Sequence, residues 1–393
     1  MSRPTLWTDL DCVDLAKTRV HLERSKSSPL NLTLNSDYAD LSDTFEFISG
    51  AVGRLKYLDI GVASEELQRI SVHLSSQAPL LEVLSVRGYY HESLLSPALF
   101  NGDLSSLREL HLRHVSTQLP CRNVTNLTSI TLGHKSVPVS ISRLLEFFEG
   151  APHLREVEIY STTPISDDWD GRLVQLTYLQ RMDADIRPSS LLFDHLLIPA
   201  GARLTMGVNL PSPPTEGHPP RFIDNLKNLS NSTTIKLARR SAGMEFSGPN
   251  GEVSMVPQVN DTWFMLESLA HFDTSKTELL EITRGISPTS DPLYRALLPM
   301  KDLRTLKLYG FKDPQIFVRA LHPSMSPSGV VVCPRLEELV IEYMETFDIK
   351  QWRRGRREGR NSRPLGLLPA TRLCFTGRSV GARETRLGRE IRL

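Results

Sequence analysis

The side chains best suited to chemistry in this chain are few and poorly spaced for it. His111 and His114 form an HxxH pair, but a metal site on that spacing needs a third ligand nearby and none follows. Asp167-Asp168-Trp169-Asp170 gathers three carboxylates that suit a hard cation. No Gly-x5-Glu stretch completes a calcium loop, so the run reads as a solvated turn. Cys12, Cys121, Cys333 and Cys374 lie far apart and include no CxxC pair. That spacing argues against a zinc site or a disulfide framework and fits a reducing compartment. The sequence also lacks GxSxG, HExxH, GxGxxG and a P-loop. No catalytic, cofactor or metal residue is assigned, and the chain reads as a non-enzyme.

One charge cluster stands out. Residues 351–393 hold twelve Arg, no Lys and three Glu, a balance of +9 that leaves −8 for residues 1–350 against the formal +1 of the whole. Arg353, Arg354, Arg356, Arg357 and Arg360 are packed together. Dense Arg makes salt-dependent phosphate contacts, so nucleic-acid association through this segment is one reading. A disordered tail without periodicity is the other, and it is the expectation for 351–393. The N-terminus carries no apolar run behind a basic start, and no stretch approaches the ~18 consecutive apolar residues of a membrane span. An intracellular protein, cytoplasmic or nuclear and without membrane contact, is expected.

The elements that would position any functional surface announce themselves as a repeat. The phrase Leu-x-x-Leu-x-Leu, with aliphatic replacements, begins at Leu55, Leu81, Leu107, Leu127, Leu154, Leu303 and Leu336. The first five copies start 26, 26, 20 and 27 residues apart. Alternation at the last two apolar positions is strand periodicity, and a lone strand of this kind buries too little to be stable. Stacked side by side, such strands share one apolar wall. Between them, Ser64-EELQRISVHL and Ser140-ISRLLEFFEG have helical spacing, with Ser64 as the N-cap of the first and Gly150 where the second should stop. Asp291-Pro292 and Asp313-Pro314 each pair an N-cap Asp with Pro at the first helical position.

The predicted architecture is therefore α/β: an irregular leucine-rich-repeat-like solenoid with a parallel strand ladder on one face and helices on the other. A doubly wound α/β enzyme domain is the alternative, disfavoured because no glycine-rich loop follows an early strand. The phrase weakens between 160 and 300, where Leu179–Met182, Arg203–Met206 and Thr234–Leu237 read as degenerate strands. The Pro-rich stretch 211–221 reads as a protruding loop, and 243–259 as a β-hairpin insertion. Domains are expected at 1–36 (a lead-in), 37–350 (the array) and 351–393 (the tail).

The opening residues carry a family likeness. Pro4-Thr5-Leu6-Trp7 and Leu22-Glu23-Arg24-Ser25-Lys26-Ser27-Ser28-Pro29-Leu30-Asn31-Leu32 resemble the segment just after the F-box in fungal F-box/leucine-rich-repeat proteins. The resemblance covers residues 4–36 in wording and 37–350 in repeat style. It implies the substrate-recognition part of a ubiquitin-ligase receptor, holding a target protein for ubiquitin-dependent degradation. In the family the F-box helices lie ahead of the position of Pro4, where this sequence holds Met1-Ser2-Arg3. Contact with the ligase adaptor is therefore expected only if an upstream F-box exists. The array also departs from regular repeats, with Ala63, Tyr89, Val115 and Lys135 where an Asn ladder would run. A free-standing scaffold with no ligase connection is the competing expectation.

If the strands stack, the residues flanking the inward positions form a polar face dotted with aromatics, suited to a protein partner. They are Tyr57, Asp59, Arg87, Glu109, His111, Arg113, Glu156, Glu158, Tyr160, Lys307 and Tyr309.

Overall fold

The computed structural model describes residues 3–12, 14–36, 48–89, 99–102, 104–116, 123–133, 139–162, 164–165, 171–186, 190–208, 232–238, 243–249, 251–257, 272–283, 290–310, 332–343, 372–377 and 388–392, with short pieces at 46, 93–94, 229, 266, 269 and 320–321. They form a mixed α/β protein with extensive, mostly parallel strand pairing, few helices and no closed barrel among the described residues. The chain divides into two compact units, Met1–Gly207 and Val208–Leu393.

In the first unit nine strands follow one another in sequence order: β1 (Asp9–Asp11), β2 (Leu30–Ser36), β3 (Leu55–Ala63), β4 (Val83–Tyr89), β5 (Glu109–Arg113), β6 (Ser129–Gly133), β7 (Glu156–Thr162), β8 (Arg181–Ile186) and β9 (Arg203–Val208). Each pairs in parallel with the next. The register places Leu10, Leu32, Leu58, Leu84, Leu110, Ile130, Val157, Met182 and Leu204 in a single row. Every apolar position of the seven Leu-x-x-Leu-x-Leu copies is buried, none more than 5% exposed. The three degenerate phrases are strands as well. The lead-in supplies β1 and β2, so it is the start of the ladder itself.

A tight turn precedes these strands and explains the first Leu of the phrase. The amide of Leu81 donates to the carbonyl of Ala78, Leu107 to Leu104, Leu127 to Val124, Leu154 to Ala151 and Leu179 to Leu176. The next amide then donates to the preceding strand: Glu82 to Lys56, Arg108 to Glu82, Thr128 to Arg108, Arg155 to Thr128 and Gln180 to Arg155. The buried Leu thus plugs the turn, while the residue after it locks the register.

Among the described residues the helices are fewer than the repeat suggests. α1 (Leu15–Ser25) starts at Asp14, whose carboxylate accepts from the Lys17 amide at 3.1 Å. α2 (Ser64–His73) has Ala63 at its N-cap, so Ser64 is its first residue and not the cap expected. α3 (Ile141–Gly150) is capped by Ser140, which accepts from the Arg143 amide at 3.2 Å, and it buries Ile141, Leu144, Leu145, Phe147 and Phe148. Elsewhere the second layer includes two-residue parallel pairs, Ser93–Leu94 with Val115–Ser116, Val139–Ser140 with Pro164–Ile165, and Val174–Gln175 with Leu196–Leu197. The 20-residue step from Leu110 to Ile130 leaves little chain for a helix once strand and turn are built. Short extended bridges fit that length.

The second unit has β10 (Thr234–Ala238), β11 (Gly243–Gly248), β12 (Gly251–Pro257), β13 (Leu279–Ile282), β14 (Thr305–Tyr309), β15 (Glu338–Tyr343), β16 (Arg372–Gly377) and β17 (Gly388–Arg392). Strands β10, β13, β14, β15 and β16 pair in parallel. The expected hairpin is present: β11 and β12 are antiparallel from Met244↔Met255 to Gly248↔Gly251, and β11 also pairs antiparallel with β10. β17 folds back antiparallel on β16, within the Arg-rich segment. α4 (Ser290–Leu297) leads to β14. The Pro-rich stretch 211–221, the Asp313-Pro314 helix and Asp167–Asp170 lie outside the described residues.

Candidate functional site

The site is built by strand alternation. With the apolar rows turned inward, the register aligns three outward rows across the first unit. The first runs Asp9, Asn31, Tyr57, Val83, Glu109, Ser129, Glu156, Arg181, Arg203; the second Asp11, Thr33, Asp59, Ser85, His111, Thr131, Glu158, Asp183, Thr205. The third includes Asn35, Gly61, Arg87, Arg113, Gly133, Tyr160 and Asp185. Nine of the eleven residues expected on a binding face, from Tyr57 to Tyr160, share these rows. Lys307 and Tyr309 lie on β14 of the second unit, with Lys307 beside Glu281. They are not counted with the nine.

These side chains are cross-linked over the sheet. Arg87 Nη2 donates to Asp59 Oδ2 at 3.0 Å, while Asp59 Oδ1 and Arg87 Nε are buried without a partner. His111 Nδ1 lies 3.0 Å from Thr131 Oγ1, which donates to Glu158 Oε2 at 3.3 Å. Arg181 reaches Glu158 Oε1 at 3.6 Å and is hydrogen-bonded to Asp183. Tyr89 reaches over Gly61 to donate to Asn35. A Cβ at Gly61 would come within 2.7 Å of Asn35 Oδ1, so glycine is what leaves room for that link.

The electrostatics of the face are set by its carboxylates. Asp9, Asp11, Asp59, Glu109, Glu156, Glu158, Asp183 and Asp185 face outward against Arg87, Arg113, Arg181 and Arg203, eight acids to four bases in these three rows. Burial pushes the Tyr57 phenol above its ordinary value, and the Asp59 charge adds to the effect. Tyr160 is raised for the same reasons, burial first and then the Glu158 charge. A hollow of about 520 Å3 lies over β1 to β4, with Asp9, Asp11, Asn31, Thr33 and Tyr57 in its lining.

Sequence reasoning missed a second feature. A cleft of about 900 Å3 runs along the N-terminal ends of the strands in the first unit, lined from Pro29 to Tyr178 by turn residues and by the register-locking row. Its signal was present: each phrase has a small or apolar residue three places before its first Leu, which marks the turn.

The HxxH pair and the described thiols are quiet. His111 faces outward and bonds within the sheet, while His114 follows β5 with a φ of +53°. Among the described residues no cluster of three or more His, Cys, Asp or Glu side chains is placed to hold a metal. Cys12 and Cys333 are buried free thiols, both pushed up to about 12 chiefly by burial. At neutral pH they stay protonated and are poor nucleophiles. Among the described residues no helix is long and apolar enough to cross a membrane. Compared with models of known protein families and with characterised proteins, the chain matches none.

Proposed function

We propose that the chain is a non-enzymatic protein-binding module of leucine-rich-repeat-like solenoid type, which holds its target on the outward face of the β1–β9 ladder. The observation that carries this is the register. It sets Tyr57, Asp59, Arg87, Glu109, His111, Arg113, Glu156, Glu158 and Tyr160 in aligned rows on strands whose other face is filled by the core. A sheet face with aromatic and charged side chains, several already fixed by cross-strand bonds, costs little further ordering on binding. The excess of carboxylates favours a target with a basic surface.

Together with the PTLW and LERSKSSPLNL wording, this supports the substrate-recognition part of an F-box-type receptor. The competing reading is a scaffold without ligase connection. Charge reversal at two exposed positions, Glu109→Arg with Glu156→Lys, tests the face. Targets captured by the wild-type chain should be lost from the double variant, and retention of all of them would remove the proposal. Co-purification of the ligase adaptor with the natural full-length protein separates receptor from scaffold.

A further inference from the structure

The cleft along the strand N-termini is built by two rows that the turn geometry stacks. One row holds a residue from each tight turn: Leu80, Ser106, Asn126, His153 and Tyr178. The other holds the residue after each plugging Leu: Lys56, Glu82, Arg108, Thr128 and Arg155. Leu80 and Tyr178 are 45% and 53% exposed, large for apolar side chains in open solvent, and Tyr178 is steadied by His153 at 5.4 Å between ring centroids. Lys56 and Glu82 satisfy each other at 3.5 Å. Arg108 and Arg155 are exposed, and neither meets a carboxylate among the described residues. The cleft therefore carries two unspent positive charges between apolar ends, opposite in sign to the sheet face.

We propose that this cleft is a docking groove for an extended acidic peptide segment, running across the strand ends with carboxylates on Arg108 and Arg155 and apolar residues against Leu80 and Tyr178. Spacing supports an extended chain. Arg108 and Arg155 precede β5 and β7, two strands apart, which is about 9.6 Å at the usual ~4.8 Å between strands. An extended peptide in the polyproline-II conformation rises about 3.1 Å per residue with three residues per turn, so it covers that distance in about three residues and returns its side chains to the same side. Acidic side chains three apart would then meet the two guanidinium groups in register, each able to take a carboxylate bidentately. Two free cations and a carboxylate in the lining are a poor match to a nucleic-acid backbone, which calls for a longer basic track.

The groove shares Lys56 and Glu82 with the hollow on the sheet face, but Leu80, Arg108, Arg155 and Tyr178 line the groove alone, so tests at these residues are separate from that of the proposed function. The test is fluorescence anisotropy with the full chain and a fluorescein-labelled peptide carrying Glu at every third position, with Leu and Pro between. Saturable binding is expected. The Arg108→Glu/Arg155→Glu double variant should bind at least about tenfold more weakly, equivalent to about 1.4 kcal/mol. The Arg108→Lys/Arg155→Lys variant should keep most of the affinity, and the same peptide with Gln for Glu should lose it. These side chains are exposed, and an unchanged circular dichroism spectrum and melting point will establish that the variants fold. Absence of saturable binding, undiminished binding by the Glu variant, or tighter binding of a single-stranded RNA of equal charge would overturn the proposal.

Discussion

Two buried threonines make the same substitution predict opposite signs. In the second unit Thr277 occupies the place of the plugging Leu: its amide donates to Thr274, and the next amide, Glu278, donates across to Thr233. Thr274 and Thr277 are 1% and 0% exposed, and both hydroxyls lack a hydrogen-bond partner. A buried hydroxyl left unpaired costs about 1–3 kcal/mol. Valine keeps the branched shape and removes the hydroxyl, so Thr277→Val should stabilise by about 1–2 kcal/mol. Thr131 in the first unit is equally buried, at 3%, but bridges His111 and Glu158 at 3.0 and 3.3 Å. There Thr131→Val should cost about 0.5–1.5 kcal/mol. Because a chain with two compact units need not unfold in one step, the assay is native-state hydrogen exchange read by mass spectrometry on peptides covering 278–283 and 129–133. Exchange should slow roughly five- to thirty-fold at the first and quicken at the second. If Thr277→Val leaves exchange at 278–283 unchanged or faster, the assignment of Thr277 to the plug position with an orphaned hydroxyl is refuted.

Three further outcomes follow from the same packing. Leu112→Ala, at a buried strand position 1% exposed, should lower the stability of the first unit by about 2–5 kcal/mol in denaturant unfolding. Tyr57 and Tyr160 hold their protons more tightly folded than unfolded, so their contribution is complete below the ordinary phenol value of about 10 and is lost as pH rises through the raised values. Ultraviolet titration should show two phenols ionising late, and stability that does not fall as pH rises above about 10 would contradict this. Cys12 and Cys333 should resist iodoacetamide at neutral pH until the chain is unfolded, as peptide mass mapping will show.

The repeat made most of the ladder readable in advance, because an aliphatic at alternate positions reports burial directly. What stayed hidden did so for specific reasons. Thr277-Glu278-Leu279-Leu280-Glu281-Ile282 is another copy of the phrase, and a threonine in the first position concealed it. β1 spans only Asp9–Asp11 with one inward Leu, too short for any periodicity. The outward residues could be named from alternation alone, but their bonds could not. Arg87 finds Asp59 on the neighbouring strand 28 residues away, and only the register fixes that pairing. The cleft was harder still, since Arg108 and Arg155 belong to different repeats and are brought to the same rim by the turns before β5 and β7.

We propose above that the target lies on the aligned rows of the first unit's sheet. The most direct test is site-specific photo-crosslinking, with a photoreactive phenylalanine analogue in place of Tyr57 or Tyr160 and, as the comparison, in place of Val72, which is 71% exposed on α2. Discrete adducts to the same protein are expected from both sheet positions and none from Val72. Equal yield from all three positions, or adducts from Val72 alone, would contradict it.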